Sequence, residues 1–177
     1  MKKSFHYILL FVCVVFANMQ LHAQTQEYIV KAVFIERFAR FIEWPPESKV
    51  HNTAKPFVVG VVGENPFGTE LERLYNQQAI KNKQVDILYI SDYKNIERCD
   101  IIFISKSEQS KVHLILEYCK SKPIIVISDI EKSQSMGVHI TMGMQHNKVV
   151  FAINDKAFEK SACKVDYRLK QYAVQQK

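Results

Sequence analysis

The 177-residue sequence lacks the short motifs that carry the commonest catalytic and cofactor chemistries. It has no G-x-S-x-G of serine hydrolases, no H-E-x-x-H of zinc proteases, no C-x-x-C of thiol redox proteins and no G-x-G-x-x-G of dinucleotide-binding domains. Its six histidines are spread along the chain and do not cluster at metal-ligand spacing. We therefore expect neither catalysis nor a bound cofactor.

The chain also lacks a strong excess of charge of one sign. Lysine and arginine total 24 against 18 acidic residues, and the basic residues are scattered without a face that interleaves them with aromatic residues. Nucleic-acid-binding domains concentrate basic side chains in such a face. The sequence therefore argues against nucleic acid as a partner, while weak attraction to an anionic membrane surface stays open.

Only one long apolar run is present, and it lies close to the amino terminus. Residues 7–17 follow two lysines, and Leu21-His22-Ala23 fits a small-residue cleavage site. A membrane-spanning helix needs about 20 apolar residues, so this run is short for an anchor. We predict a signal peptide over residues 1–23, cleaved after Ala23, and one exported domain over residues 24–177. An uncleaved anchor is the alternative.

The predicted domain opens with an amphipathic helix rich in aromatic residues. Apolar side chains recur there at three- and four-residue spacing, which gathers them on one helical face: Val30, Phe34, Phe38, Phe41 and Ile42. The helix closes on Trp44, because two prolines follow and proline disfavours a helical conformation in the residue before it. Phe34, Phe38, Phe41 and Trp44 must be buried in the chain's own core, in a dimer or against a partner, and periodicity does not decide among these.

The middle of the chain alternates apolar runs with helix-length segments. The runs at residues 57–62, 85–90, 99–105 and 123–128 are nearly continuous, as in strands that are buried on both faces of a parallel sheet. Helices are predicted over residues 69–76, 108–119, 155–160 and 167–174. Two further apolar stretches, at residues 138–142 and 149–153, predict a hairpin. The fold class is therefore α/β, a three-layer αβα sandwich with a mostly parallel sheet and a C-terminal antiparallel hairpin.

Polar residues and glycines follow the predicted parallel strands. Ligands in open α/β sheets lie at the carboxyl ends of the strands, and the glycine-rich turn after residues 57–62 echoes a phosphate loop without its lysine. We predict a small-ligand cleft bordered by Gly63, Phe67, Gly68, Ser105, Ser128 and Asp129. The alternative is a plain strand-to-helix turn for the glycines and helix capping for Ser128 and Asp129.

Three cysteines lie beyond the predicted leader. Cys99 begins a predicted strand, and Cys119 ends the helix that follows it. In a right-handed strand–helix–strand unit the helix runs back antiparallel to the strand, which brings both residues to the same end of the sheet. An exported protein meets an oxidising compartment. We therefore predict a Cys99–Cys119 disulfide, with Cys163 free or linking two chains. Two buried thiols are the alternative.

Five segments, in order, resemble the motifs of the YfiR family of periplasmic proteins. They are KAVFIERFARFIEWP at residues 31–45, VGVVGENPFG at 59–68, CDIIFIS at 99–105, ISD at 127–129 and VVFAIN at 149–154. The resemblance runs from about residue 27 to residue 169. It implies a periplasmic αβα domain, often dimeric, with no catalytic role. It also implies binding to the periplasmic sensor portion of a membrane diguanylate cyclase, which restrains cyclic-di-GMP synthesis and biofilm formation.

Two classes of function follow from the sequence. The first is a periplasmic regulator that binds a membrane signalling protein, for which Phe34, Phe38, Phe41 and Trp44 and the predicted hairpin are the candidate partner surfaces. The second is a periplasmic small-molecule-binding or sensor protein coupled to a histidine kinase, which the predicted strand-end cleft supports. An enzyme comes third, because the sequence offers no nucleophile with a matching base.

Overall fold

The computed structural model describes residues 26–174 of the chain. The predicted leader lies outside the described residues, so its cleavage after Ala23 stays a prediction. Within residues 26–174 no helix is both long and apolar enough to cross a membrane.

Six strands form one sheet: β2 Phe57–Val62, β3 Val85–Ile90, β4 Ile101–Ile104, β5 Ile125–Ser128, β6 Ile140–Gln145 and β7 Lys148–Ile153. Their order across the sheet is β3-β2-β4-β5-β6-β7. Strands β2 to β6 are parallel to their neighbours, and β7 pairs antiparallel with β6. A separate two-stranded ribbon joins β1 (Ile42–Glu43) to β8 (Lys164–Val165).

Helices cover both faces of this sheet. The α-helices are α1 (residues 26–40), α2 Glu70–Tyr75, α3 Val112–Cys119, α4 Ser133–Met136, α5 Asp155–Lys160 and α6 Tyr167–Lys170. Short 3-10 helices span Lys49–His51, Tyr93–Arg98 and Lys106–Lys111. The architecture confirms the predicted α/β sandwich with its mostly parallel sheet and antiparallel hairpin.

The side chains of the central strands divide between two cores. Ile101 and Phe103 of β4 join a core that contains α1, while Ile102 and Ile104 join a second core that contains the buried face of α3. Successive side chains of a strand point to opposite faces, so a strand that is buried on both faces must be apolar throughout. This is why β4 and β5 read as continuous apolar runs.

Strand β4 and helix α3 both begin later than the sequence predicts. Strand β4 starts at Ile101 rather than Cys99, because Cys99 caps the preceding 3-10 helix and the Asp100 carboxylate accepts a hydrogen bond of 2.8 Å from the backbone N–H of Val58. The helix predicted from residue 108 is α-helical only from Val112. The residues before it form the 3-10 helix Lys106–Lys111, which is kinked at Glu108.

A two-residue turn joins β6 to β7. Its residues His146 and Asn147 have φ of 49° and 58°, the left-handed conformation that a type I′ hairpin turn needs at both positions. The pairing places Met142 opposite Phe151 and Met144 opposite Val149. The hairpin therefore extends the sheet beyond its parallel part and forms one edge.

A candidate ligand site at the carboxyl ends of the parallel strands

Three parallel strands end side by side at one edge of the sheet. β2 ends before Gly63, β4 ends before Ser105 and β5 ends at Ser128, just before Asp129. Helix α1 lies against the same end, and its first turns carry Glu27, Tyr28 and Lys31. The polar residues predicted from separate parts of the sequence are therefore neighbours in space, together with α1.

Lys31 and Asp129 form a buried ion pair at this edge. The Lys31 ammonium lies 2.6 Å from Asp129 Oδ2, and both side chains are 1 % exposed. Lys31 also lies 2.5 Å from Glu27 Oε1, and the Tyr28 hydroxyl donates a hydrogen bond of 2.7 Å to Asp129 Oδ2. Lys106, on the other side of the edge, is 3.9 Å from the same oxygen. Helix α1 is therefore joined to the end of β5 by charge as well as by apolar packing.

These residues (Glu27, Tyr28, Lys31, Lys106 and Asp129), which we call the strand-end cluster, leave one oxygen without a partner. Asp129 Oδ1 is buried and accepts no hydrogen bond from residues 26–174. Burial, reinforced by the Asp129 carboxylate, raises the pKa of Tyr28 well above its usual value. Tyr28 therefore keeps its proton and acts as a donor. The arrangement can accept one further donor at Asp129 Oδ1.

The residues after β2 and β4 pack tightly against one another. Ser105 is buried, and its Oγ lies 2.8 Å from Ser107 Oγ. Ser107 Oγ in turn accepts a hydrogen bond of 2.9 Å from the backbone N–H of Glu64. Gly63 has φ of 92°, and a Cβ built there would lie 2.6 Å from Ser105 Oγ and 2.6 Å from Glu108 Cγ. A glycine is needed at this position by both conformation and space.

The other predicted cleft residues fall into different places. Ser128 is fully buried, and its hydroxyl donates to the carbonyl of Ile104 at 2.8 Å and accepts from the N–H of Ile130 at 3.1 Å. These bonds hold the strand ends together and leave little for a ligand. Phe67 packs edge-on between Tyr28 and Phe103, with ring centroids 5.4 Å and 4.8 Å away.

An open cleft of ≈ 580 Å³ lies over this edge. Three of the predicted residues, Phe67, Gly68 and Ser105, line it, together with Tyr28 and Lys106. Ser128 and Asp129 are buried beneath it. Sequence reasoning missed Tyr28, Lys31 and Lys106. The sequence did contain a signal for Lys31. Its three- and four-residue spacing from Tyr28 and Ile35 places it on the buried face of α1, where a charged side chain needs a partner.

The aromatic residues of α1 are placed mainly in the chain's own core. Phe38 is fully buried and Trp44 is 5 % exposed, and the Trp44 indole donates a hydrogen bond of 2.9 Å to the carbonyl of Pro123. A partner therefore cannot reach these two side chains in this conformation, which corrects the expectation that they form part of a contact surface. Phe34 and Phe41 are only partly buried and pack against the same core.

The predicted Cys99–Cys119 disulfide is absent from the structure. Cys99, Cys119 and Cys163 are all free and buried. Cys99 and Cys119 belong to the same apolar core, on the α3 side of the sheet, as the topology predicts, but no bond joins them. Burial raises the pKa of both thiols to about 12. Buried cysteine is a stable small apolar side chain, and this is the alternative that the structure has.

No cluster of histidine, cysteine, aspartate and glutamate with the geometry of a metal site occurs among the described residues. Residues 26–174 form an α/β domain with a buried, charged cluster at its strand ends and an open cleft above it. The chain belongs to the YfiR/HmsC-like family, whose sequence profile matches residues 28–174. No curated protein is similar enough to match the chain.

Proposed function

We propose that the protein is a periplasmic, non-catalytic regulator of cyclic-di-GMP signalling. It would bind the periplasmic sensor portion of a membrane diguanylate cyclase and repress it, which lowers cyclic-di-GMP synthesis and biofilm formation. The observation that carries the proposal is the family match, which spans nearly all of the described domain. Regulation across a membrane by an exported domain requires a protein contact and no catalysed reaction. In this proposal the strand-end cluster has a structural role, because its charges pair with one another.

The proposed contact surface is the flank of α1 together with the hairpin. Val30 is 40 % exposed and Met144 is 48 % exposed. Phe34 stands one turn after Val30, and its ring centroid lies 5.6 Å from that of Phe151 on β7. Met144 continues the face of β6 that carries the core residue Met142. An apolar margin of the α1 core thus reaches solvent, and interfaces favour methionine and aromatic residues of this kind.

A homodimer is part of the proposal. The family resemblance implies dimers, and a second copy of the chain could use the margin of Val30 and Met144 or another face. Sedimentation velocity of the exported protein over a range of concentrations measures this directly. A monomer at all concentrations would refute the homodimer and would leave the proposed contact with the membrane signalling protein unaffected.

Deletion of the gene in its own host tests the regulatory role. The cellular level of cyclic-di-GMP and the biofilm mass should both rise, and an exported wild-type copy should restore them. A copy that lacks residues 1–23 and stays inside the cell should not restore them. Unchanged cyclic-di-GMP after deletion would refute the proposal.

Charge substitutions locate the surface, with a matched control on the opposite face of the sheet. Met144→Asp should leave the domain folded and raise cyclic-di-GMP towards the level of the deletion strain. Leu114→Asp places the same charge on α3, where Leu114 is 51 % exposed, and should still repress. Circular dichroism confirms that both variants fold. Equal repression by the two variants would move the contact away from the hairpin.

A small-molecule sensor coupled to a histidine kinase is the second candidate function. The cleft of ≈ 580 Å³ over the strand ends supports it, since Tyr28 and Lys106 line the cleft. A ligand with an acceptor group would suit the Lys106 ammonium. Native mass spectrometry of the protein taken from the periplasm tests this, because a retained small molecule adds its mass, and Lys106→Gln should weaken its retention.

A further inference from the structure

A second, larger cleft lies at the other end of the sheet. Its volume is ≈ 1090 Å³, and it is lined by the last turn of α3, the loop that leads into β5, helix α4, the start of β6 and helix α5. Because β5 and β6 are parallel, their amino ends meet here. None of the residues of the strand-end cluster lines this cleft.

The lining of this cleft, which we call the basic cleft, is rich in lysine. Five lysines line it against two acidic residues: Lys120, Lys122, Lys132, Lys156 and Lys160, with Glu117 and Asp155. Lys120 lies 3.4 Å from Glu117, and Lys122 lies 2.8 Å from Glu97. Within residues 26–174, Lys132, Lys156 and Lys160 make no ion pair. The cleft therefore carries uncompensated positive charge.

One buried polar group of the cleft wall lacks a partner. His139, the residue before β6, is 7 % exposed, and its ring packs edge-on against Phe158 of α5 with centroids 5.0 Å apart. The backbone N–H of His139 donates to the carbonyl of Val126, and the His139 carbonyl accepts from the N–H of Asn154. Nε2 is buried and has no hydrogen-bond partner in the described part of the chain. Such a group is costly unless something satisfies it.

The protonation of the ring is fixed by its other nitrogen. The backbone N–H of Val126 donates a hydrogen bond of 3.2 Å to His139 Nδ1, so Nδ1 carries no proton. Burial lowers the pKa of His139 to about 4, which keeps the ring neutral at ordinary pH. A neutral imidazole with a bare Nδ1 carries its proton on Nε2. The unpartnered group is therefore an N–H donor. Ligation of a metal ion through Nε2 would require the ring proton to move to Nδ1, where it would face the N–H of Val126.

We propose that the basic cleft is a binding site for a small anion, whose carboxylate or phosphate oxygen accepts the hydrogen bond of His139 Nε2 while its negative charge is matched by Lys132, Lys156 and Lys160. The neutral N–H donor of His139, surrounded by lysines, suits an anion that has only hydrogen-bond acceptors. A cation would be repelled by the lysines and would find no acceptor at Nε2. The proposal is independent of the regulatory function, because the cleft lies apart from Val30, Met144 and the strand-end cluster.

Nuclear magnetic resonance of the histidine ring tests the site directly. The exported protein is labelled with ¹⁵N, and inorganic phosphate or succinate is added at an ionic strength held constant with sodium chloride. The Nε2 and Hε2 signals of His139 should move and saturate with at least one of the two anions. A response to phosphate alone assigns a phosphoryl ligand, and a response to succinate alone assigns a carboxylate. No saturable shift with either anion overturns the proposal.

A pair of double variants separates a built site from general charge. Lys156→Gln with Lys160→Gln removes two exposed lysines of the cleft and should weaken the apparent Kd by roughly three- to tenfold, the range expected for two exposed charges. Lys94→Gln with Lys148→Gln removes the same charge from exposed positions elsewhere and should leave the Kd unchanged. Equal weakening by both variants would mean diffuse attraction and would overturn the site.

Discussion

The ion pair between Lys31 and Asp129 offers the sharpest test of how α1 is held on the sheet. Lys31→Met keeps the length and apolar stem of the side chain and removes the charge. It leaves the Asp129 carboxylate buried, with only the Tyr28 hydroxyl at 2.7 Å and Lys106 at 3.9 Å. Removal of one member of a buried pair typically costs about 3–5 kcal/mol, which is a large part of the 5–15 kcal/mol that stabilises an ordinary domain.

The assay is urea unfolding, monitored by the fluorescence of Trp44, which is the one tryptophan of the chain and is buried. Asp129→Asn should cost less than Lys31→Met, because the amide oxygen still accepts from Tyr28 while Lys31 keeps Glu27. The double variant should cost less than the sum of the two single variants, with a coupling of roughly 1–3 kcal/mol. This coupling isolates the pair from the packing of the lysine stem.

Lys120→Met is the control for an exposed pair. Lys120 lies 3.4 Å from Glu117, and the two side chains are 70 % and 69 % exposed, so its loss should cost no more than about 1 kcal/mol. A Lys31→Met variant that loses no more stability than Lys120→Met would refute the claim that a buried charge pair secures α1.

Three further outcomes are expected. The folded pKa of His139 is about 4 and its usual value is 6.5, so the unfolded chain takes up the proton first as the pH falls. The free energy of unfolding should therefore decrease by roughly 3 kcal/mol between pH 6.5 and pH 4. Urea unfolding at both pH values measures this decrease, and His139→Asn should remove the contribution of the histidine. Gly63→Ala should cost about 2–4 kcal/mol in a thermal-unfolding assay, whereas Gly68→Ala, whose Cβ would meet nothing within 4 Å, should cost about 1 kcal/mol; equal losses would contradict the clash. Cys99 and Cys119 should resist iodoacetamide in the native protein and react fully once it is unfolded, and failure to react after unfolding would indicate a disulfide.

The sequence predicts the layers of this fold well because its signals are local. The strands at Phe57–Val62 and Val85–Ile90 have the predicted bounds, since continuous apolar runs between polar segments mark buried parallel strands. The type I′ turn at His146 and Asn147 joins the two strands of the predicted hairpin. Each of these features depends on residues that are close together in the chain.

The site was harder to predict because it depends on residues far apart in the chain. Lys31 and Asp129 are separated by 98 positions, and the four-residue spacing of Glu27 and Lys31 suggests only a surface helix pair. The Ser128 hydroxyl could face a ligand or brace the sheet, and only its bond to Ile104 decides. Cys99 and Cys119 share a core, but topology fixes the layer and not the distance that a disulfide needs.

The ribbon between β1 and β8 ties the two ends of the domain together. Ile42, just after α1, pairs with Val165, and the N–H of Asp166 donates a hydrogen bond of 2.8 Å to the carbonyl of Phe41. The N–H of Val174 then bonds to Phe151 at 2.9 Å, so the last described residue lies on the hairpin. A chain is made from its amino terminus, so α1 is made before the hairpin and β8, which complete its burial. The contact of Phe38 with Phe151 and the pairing of Ile42 with Val165 can form only when nearly the whole domain has been made, and whatever escorts the unfolded chain must shield that part of the aromatic face until then.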